Sequence, residues 1–402
     1  MPRPAPLDRR TVGPRLGLAL AAALVLTAPA RAAAQSAECP TRRGTHISIH
    51  ETNDRRTLVI ADAARCFEAR SVGDVELTDD DGDVRRLSAG GTLVVSETRG
   101  GATRRAEFAD RAGAVERRYF ENGRAVDAAG AAAWARPLLA QLARESVVGA
   151  EARARRILRA RGARGVLDEV AEIGSDGAKR VYLTTLVAEG RLSRAELADV
   201  ARVAGRRLGS DAEKGRVLGA VLGASGDDPA VAAAAVDAAG TIGSDRVKAD
   251  LLTRLGAPAG GGTEATRAAW LGVARTIGSD AERRRVLLAA LEPARAGDAL
   301  LAADAPRDAF FEAVGGIGSD RERGVVLRAL AGRDGLPRPA LLLLLRSAAG
   351  IGSDRERADV LLAVAARPEA MRDADARRAF LDVARGIASS SEYRRVMDAV
   401  VR

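Results

Sequence analysis

From about residue 163 onward, apolar and polar positions recur at steps of 34 to 40 residues. The marker is a four-residue phrase, Ile173-Gly174-Ser175-Asp176. It returns at Leu208–Asp211, Ile242–Asp245, Ile277–Asp280, Ile317–Asp320 and Ile351–Asp354, and in altered form as Ile387-Ala388-Ser389-Ser390. Seven residues ahead of each phrase stands an apolar residue: Val166, Ala201, Ala235, Trp270, Phe310, Leu344 and Phe380. Seven and eight residues after each Ser comes an apolar pair: Tyr182-Leu183, Val217-Leu218, Leu251-Leu252, Val286-Leu287, Val326-Leu327, Val360-Leu361 and Val396-Met397. Apolar positions so spaced on either side of a short polar phrase predict two helices joined by a tight turn.

The phrase suits a turn. Gly just past an apolar segment is a helix-ending residue that adopts the left-handed conformation cheaply. Ser is a preferred N-cap, and Asp at the first helical position meets the positive end of the helix dipole. Glu follows the Ser by three residues at Glu213, Glu282, Glu322, Glu356 and Glu392, which predicts a capping box in five units. First helices are expected to begin at Ser193, at Asp228-Pro229 and near Thr263. Trp270 and the phenylalanines fill the recurring apolar slot and read as packing. Units of this size stack. The predicted fold class is mostly α: a right-handed α-solenoid of about seven two-helix repeats, preceded by a small antiparallel β-sheet domain.

The sheet is expected within 35–128, where short alternating or apolar runs appear at 46–50, 57–60, 74–77, 92–95 and 118–120. Asp81-Gly82 and Asn122-Gly123 suit tight hairpins. Residues 129–162 read as connecting and capping helices, and 163–402 as the repeats. His46 and His50, the chain's two histidines, share a strand face with Ser48, but no third ligand stands at a fixed spacing; they are expected to be exposed. The run Asp79-Asp80-Asp81-Gly82-Asp83 fails the calcium-loop pattern, with Val84 where Gly and Gly90 where Glu belong, and reads as a solvated turn.

The N-terminus changes the compartment. Arg9, Arg10 and Arg15 precede an apolar run from Leu16 to Leu26, and Ala32-Ala33-Ala34 offers a small-residue cleavage site. Residues 1–34 are therefore expected to be a signal peptide, and the mature protein to be periplasmic or secreted. The apolar run is short for a membrane span, and no transmembrane helix is expected in the mature chain. In an oxidising compartment Cys39 and Cys66 are expected to pair, a cross-link contributing about 3 kcal/mol.

Composition narrows the remaining chemistry. Of 402 residues 47% are apolar and only 3% aromatic, so the core is built of Ala, Leu and Val. The net charge is +9, and residues 1–34 alone hold five Arg against one Asp, which leaves a mild +5 for the rest. That is far from the dense stripe of a nucleic-acid binder. No nucleotide-binding glycine motif, nucleophile elbow or His-Glu-x-x-His zinc motif is present, and no cofactor is called for. One recurrent charge stands out: Lys179, Lys214, Lys248, Arg283, Arg323 and Arg357 each follow a phrase Ser by four residues. Stacking would align them as a basic ladder for an acidic partner or an anionic envelope polymer. The competing reading is pairing with acids of the capping turn, each pair worth a few tenths of a kcal/mol.

The period and helix-pair design resemble HEAT-like and tetratricopeptide-like solenoids, the latter in length alone because the Trp, Gly–Tyr and closing Pro signature is not seen. The Ser-Asp-x-Glu-Arg-x-x-Val-Leu run, as at Ser279–Leu287 and Ser353–Leu361, more closely resembles repeats of bacterial envelope proteins. Some such repeats follow the peptidase domains of proteins similar to beta-lactam-sensing metallopeptidase receptors. Thr78–Asp81 and Arg118–Arg124 are also similar to those proteins. No catalytic residue transfers, because the peptidase motif is missing. The resemblance implies extracytoplasmic docking or sensing. The expectation is a non-enzymatic scaffold that binds a protein partner; the alternatives are a polymer binder using the ladder, or a hydrolase or lyase with its site in the β-rich domain.

Overall fold

The computed structural model describes residues 46–52, 54–226, 228–256, 262–292 and 297–401. The predicted signal peptide and Cys39 lie outside the described residues. Among the described residues nine strands come first: β1 (His46–Thr52), β2 (Arg55–Ala61), β3 (Arg65–Val72), β4 (Val75–Leu77), β5 (Val84–Leu87), β6 (Thr92–Arg99), β7 (Ala102–Arg111), β8 (Ala114–Glu121) and β9 (Arg124–Val126). Seven of them form an antiparallel sheet in the order β1-β2-β3-β6-β7-β8-β9, and β4 pairs with β5 as a separate hairpin. The strand pattern read from sequence found β1, β2, β4, β6 and β8 but not β3, β5, β7 or β9. In β3 and β7 the buried positions include small or polar residues, Ala69, Ser71 and Ala106, set among Arg and Glu, which weakens the apolar alternation. Asn122 and Gly123 turn β8 into β9 with both residues at positive φ, as a two-residue hairpin loop requires.

Helices follow: α1 (Ala128–Glu145), α2 (Ala150–Glu172), α3 (Asp176–Glu189), α4 (Arg194–Arg207), α5 (Asp211–Ser225), α6 (Pro229–Ala239), α7 (Asp245–Leu255), α8 (Glu264–Arg275), α9 (Asp280–Ala290), α10 (Gly297–Ala302), α11 (Asp304–Gly315), α12 (Asp320–Ala331), α13 (Arg338–Ala349), α14 (Asp354–Ala365), α15 (Pro368–Arg372), α16 (Ala374–Arg385) and α17 (Ser390–Val401). Helix α1 completes the sheet domain: Trp134, Leu138, Leu139 and Leu142 pack on Phe67, Leu93 and Phe108 in one buried cluster. A second, continuous cluster begins at Ala150 of α2 and runs to Val396 of α17.

The helices after α2 repeat in pairs, an arrangement compatible with a solenoid. Those starting at a phrase pack in succession, α3 on α5, α5 on α7, α7 on α9, α9 on α12, α12 on α14 and α14 on α17. Their partners do the same, α4 on α6, α6 on α8, α8 on α11, α11 on α13 and α13 on α16. The slot from Val166 to Phe380 is fully buried in every unit. It ranges from Ala201 and Ala235 to Trp270, whose indole N–H donates to the Leu252 carbonyl at 3.3 Å. Ser193, Asp228 and Thr263 cap α4, α6 and α8 as expected. The longest step between phrases accommodates the extra short helix α10.

Candidate interaction surface

The recurrent turn is built differently from its sequence reading, and the difference decides what its polar groups can do. Each phrase Ser does cap its helix, but the return bond of a capping box is made only by Glu196 to Ser193 among the described residues. The Ser backbone N–H is already engaged by the unit before. Asp176 Oδ2 accepts from Gly209 and Ser210 N–H at 2.8 and 2.6 Å. Asp211 accepts from Gly243 and Ser244 at 3.0 and 2.7 Å, Asp245 from Gly278 and Ser279 at 3.0 and 2.8 Å, and Asp280 from Gly318 and Ser319 at 3.1 and 2.8 Å. Asp320 and Asp354 accept from Ser353 and Ser389 at 2.8 and 2.7 Å. The Asp is thus a clasp between units as well as a charge at a helix start.

This clasp also explains the glycine. None of the phrase glycines has positive φ, contrary to the left-handed reading. A Cβ at Gly209, Gly243 or Gly278 would sit 3.2–3.3 Å from the clasping carboxylate oxygen, so the missing side chain gives the carboxylate its approach. With the Ser N–H taken, the Glu side chains turn elsewhere. Glu213, Glu322 and Glu356 pair with Arg180, Arg284 and Arg328 of the preceding unit at 2.7–2.8 Å. At the first turn, Glu145 at the end of α1 takes the Asp role, accepting from Gly174 and Ser175 at 2.8 and 3.1 Å. The altered phrase at 387–390 has Ser390 for Asp and Tyr393 for the following cation, so it carries neither joining group.

The six cations complete the joint. Lys179 Nζ donates to Arg207 O at 2.8 Å, Lys214 to Thr241 O at 2.9 Å and Lys248 to Thr276 Oγ1 at 2.8 Å. Arg283 donates to Ile277 O at 2.9 Å; Arg323 bonds Ile317 O and Gly350 O at 3.1 and 2.9 Å, and Arg357 bonds Ile351 O and Gly386 O. Lys214, Lys248 and Arg283 are buried, at 5–7% exposure. Most of these partners lie at C-terminal ends of first helices, where a cation satisfies orphan carbonyls and meets the negative dipole end. Donors aimed at the chain's own carbonyls leave little for an external anion.

The acidic run is likewise occupied. Asp81 is 2% exposed, not solvated as its sequence context suggested. Both its oxygens accept from α2, one from Arg153 and the other from Arg156 at 2.5 Å. Arg153 continues to Glu169 at 2.9 Å, and Arg144 of α1 reaches the same carboxylate at 3.0 Å. Burial pushes the Glu169 carboxyl up, but the bond and charge of Arg153, then Arg144, outweigh it and hold it below the usual range. Burial raises the Tyr182 phenol beside this cluster, so it stays protonated. On the exposed side, bonds from Thr78 and the Gly82 N–H bring Asp80 down to about 2. An ionic cluster of this kind fixes the β4–β5 hairpin to α2.

His50 is exposed, and among the described residues no group of three His, Cys, Asp or Glu is placed to share a metal ion. Cys66 is buried in β3 and is not a free thiol. No helix among the described residues is long and apolar enough to cross a membrane. Open clefts among the described residues include two that bear on binding. One of about 260 Å³ lies among the later units and is lined by Leu336, Leu341 and Val364 together with Arg338 and Arg367. Both arginines are held in ion pairs, Arg338 with Asp373 and Arg367 with Asp334 and Glu369. The other, about 550 Å³, lies between β1 and the first two phrase turns. No protein-family model, curated protein or solved structure matches this chain.

Proposed function

We propose that the protein is an exported, non-enzymatic interaction scaffold whose stacked units, seven in a right-handed solenoid, present an extended surface to a protein partner outside the cytoplasm. The observation that supports this reading is the use made of the repeated polar residues. In the units with a full phrase the Asp carboxylate accepts from backbone N–H of the next unit and the Lys or Arg donates to groups at helix ends, so the repetition supports a continuous wall and not a recurring reaction centre. Repeat walls recognise partners through area and shape, with each unit contacting its neighbours. The sheet domain, fixed to the first units by α1 and the Asp81 cluster, extends that wall. The Arg-rich leader supports export, and the Cys39–Cys66 disulfide belongs to the same proposal.

Affinity capture from an envelope extract at low and high ionic strength tests it. A stoichiometric protein retained at high salt is the expected result. Capture of glycan or lipid alone, released by salt, would replace it with an anionic-polymer reading, because screened charge contacts weaken as the Debye length shrinks.

A further inference from the structure

Strand β1 ends the sheet order, so one of its edges has no strand partner among the described residues. The opposite edge, β9, is three residues long, a length that blunts pairing, whereas β1 has seven residues, HISIHET, with neither Pro nor Lys. A long edge of this kind presents alternating N–H and C=O groups that match only another extended backbone. Ile49 on β1 is 37% exposed, one of two large apolar side chains so exposed among the described residues.

The cleft of about 550 Å³ adjoins this edge. Its lining includes Ile47 and Ile49, which share one face of β1, and no residue of β2, so it lies against the outermost strand of the sheet. Val147 and the turns at Ser175 and Ser210 form the opposite wall, and the volume falls in the range of about 300–1,000 Å³ usual for ligand clefts. Ile49 Cδ1 comes within 3.9 Å of where a Gly177 Cβ would stand, so the wall closes over the Ile face of β1. Charge in the wall is unevenly committed. Asp176 is taken by Lys179 and by the Gly209 and Ser210 N–H groups. Arg180 and Arg216 share the single carboxylate of Glu213 at 2.8 and 2.6 Å, and the Arg216 side chain is 62% exposed. The lining holds two acids and two bases, and the most exposed of the four side chains is the cationic Arg216, which an incoming segment meets first.

We infer that this cleft is where a partner polypeptide docks, adding an extended segment to β1 with an acidic side chain directed at Arg216. The inference rests on the scaffold reading and assigns its recognition site to the joint between sheet and helices. Side chains on alternate positions of the added strand would face Ile49 and the turns, so the segment alternates apolar or acidic residues with solvent-facing ones.

The test pans a displayed library of random dodecapeptides on the full chain and measures the best synthetic peptide by fluorescence polarisation and amide exchange. The expected peptides carry Asp or Glu at alternate positions, slow exchange within residues 46–52, and lose at least tenfold in affinity to Ile49→Lys and to Arg216→Glu. Both substitutions are at exposed side chains, and unchanged melting curves verify the fold. Peptides indifferent to both variants, or no enrichment over Ile49→Lys as bait, overturn the cleft. Uniformly slow exchange across β1 in the free protein does so as well, since the edge is then covered by other residues of the chain. A concentration-dependent dimer abolished by Ile49→Lys assigns the edge to a second copy and also overturns the proposal. Envelope capture that persists in Ile49→Lys leaves the scaffold intact while the cleft fails; loss of capture by the unaltered chain removes the scaffold itself.

Discussion

Replacing Asp245 with Ala tests the clasp where its geometry is cleanest. One carboxylate oxygen accepts from Gly278 N–H at 3.0 Å and the other from Ser279 N–H at 2.8 Å. Hydrogen bonds to charged groups contribute about 1.5–3 kcal/mol each, and the two share one carboxylate, so a joint loss of about 3 kcal/mol is expected. Asp245 also sits at the first helical position of α7, where removing the charge costs about 0.3–1 kcal/mol through the helix dipole. Glu264, first residue of α8, is an exposed acid at the same kind of position, and Glu264→Ala supplies that smaller term as a control. Asp245→Asn keeps one acceptor and turns the other into a donor facing an N–H, so it should fall between the two. Urea unfolding followed by far-UV circular dichroism measures the differences. The loss is also expected to split the transition, because each unit is stabilised by its neighbours, and to speed exchange at Gly278 and Ser279. If Asp245→Ala and Glu264→Ala shift stability equally, the clasp is not an energetic feature and the reasoning fails.

Other substitutions probe the remaining joints. Arg323→Ala should destabilise by about 2 kcal/mol in urea unfolding, since the guanidinium bonds the Ile317 and Gly350 carbonyls; unchanged stability would return Arg323 to the ligand-binding reading. Glu169 is held below its usual pKa, so its contribution is complete above about pH 4.5 and is lost as pH falls through the lower folded value. Melting curves of the unaltered protein should therefore drop below that pH more steeply than those of Glu169→Gln. Reduction, or Cys66→Ser, should cost about 3 kcal/mol through loss of the proposed cross-link to Cys39, and intact-mass analysis after alkylation should find no modified thiol in the oxidised protein. A mature N-terminus at Gln35 by mass spectrometry is the expected result of export.

Much of the helical architecture was legible because its determinants are local or strictly periodic. Ser193, Asp228-Pro229 and Thr263 mark helix starts by bonds to their own first turn, and the slot from Val166 to Phe380 repeats within the period. The clasp was not legible for the opposite reason. Asp211 meets Gly243 and Ser244 some 32 residues on, and only stacking brings them together. A local rule therefore assigned the Gly to a left-handed cap and the Glu to a capping box, both chemically sensible and both superseded by a neighbour. Stacking likewise gives the ladder cations partners at helix ends, as Lys214 meets the Thr241 carbonyl and Arg323 the Gly350 carbonyl. In the sheet domain, Asp81 looked like an exposed turn because its partners, Arg153 and Arg156, lie on a helix beyond the whole sheet. The cleft beside β1 has no sequence signal, since it arises where the edge of one element meets the turns of another.

If the Gly-Ser-Asp phrase fastens interchangeable units, one unit can be removed and its neighbours rejoined. Deleting residues 211–244 removes α5 and α6 and joins Ser210 directly to Asp245, leaving Asp176 to clasp Gly209 and Ser210, and Asp245 to clasp Gly278 and Ser279. Thermal unfolding of this shortened chain is the most direct test. A cooperative transition within a few degrees of the full-length protein is the predicted result. A chain that fails to fold, or melts without cooperativity while its expression is unimpaired, would contradict it.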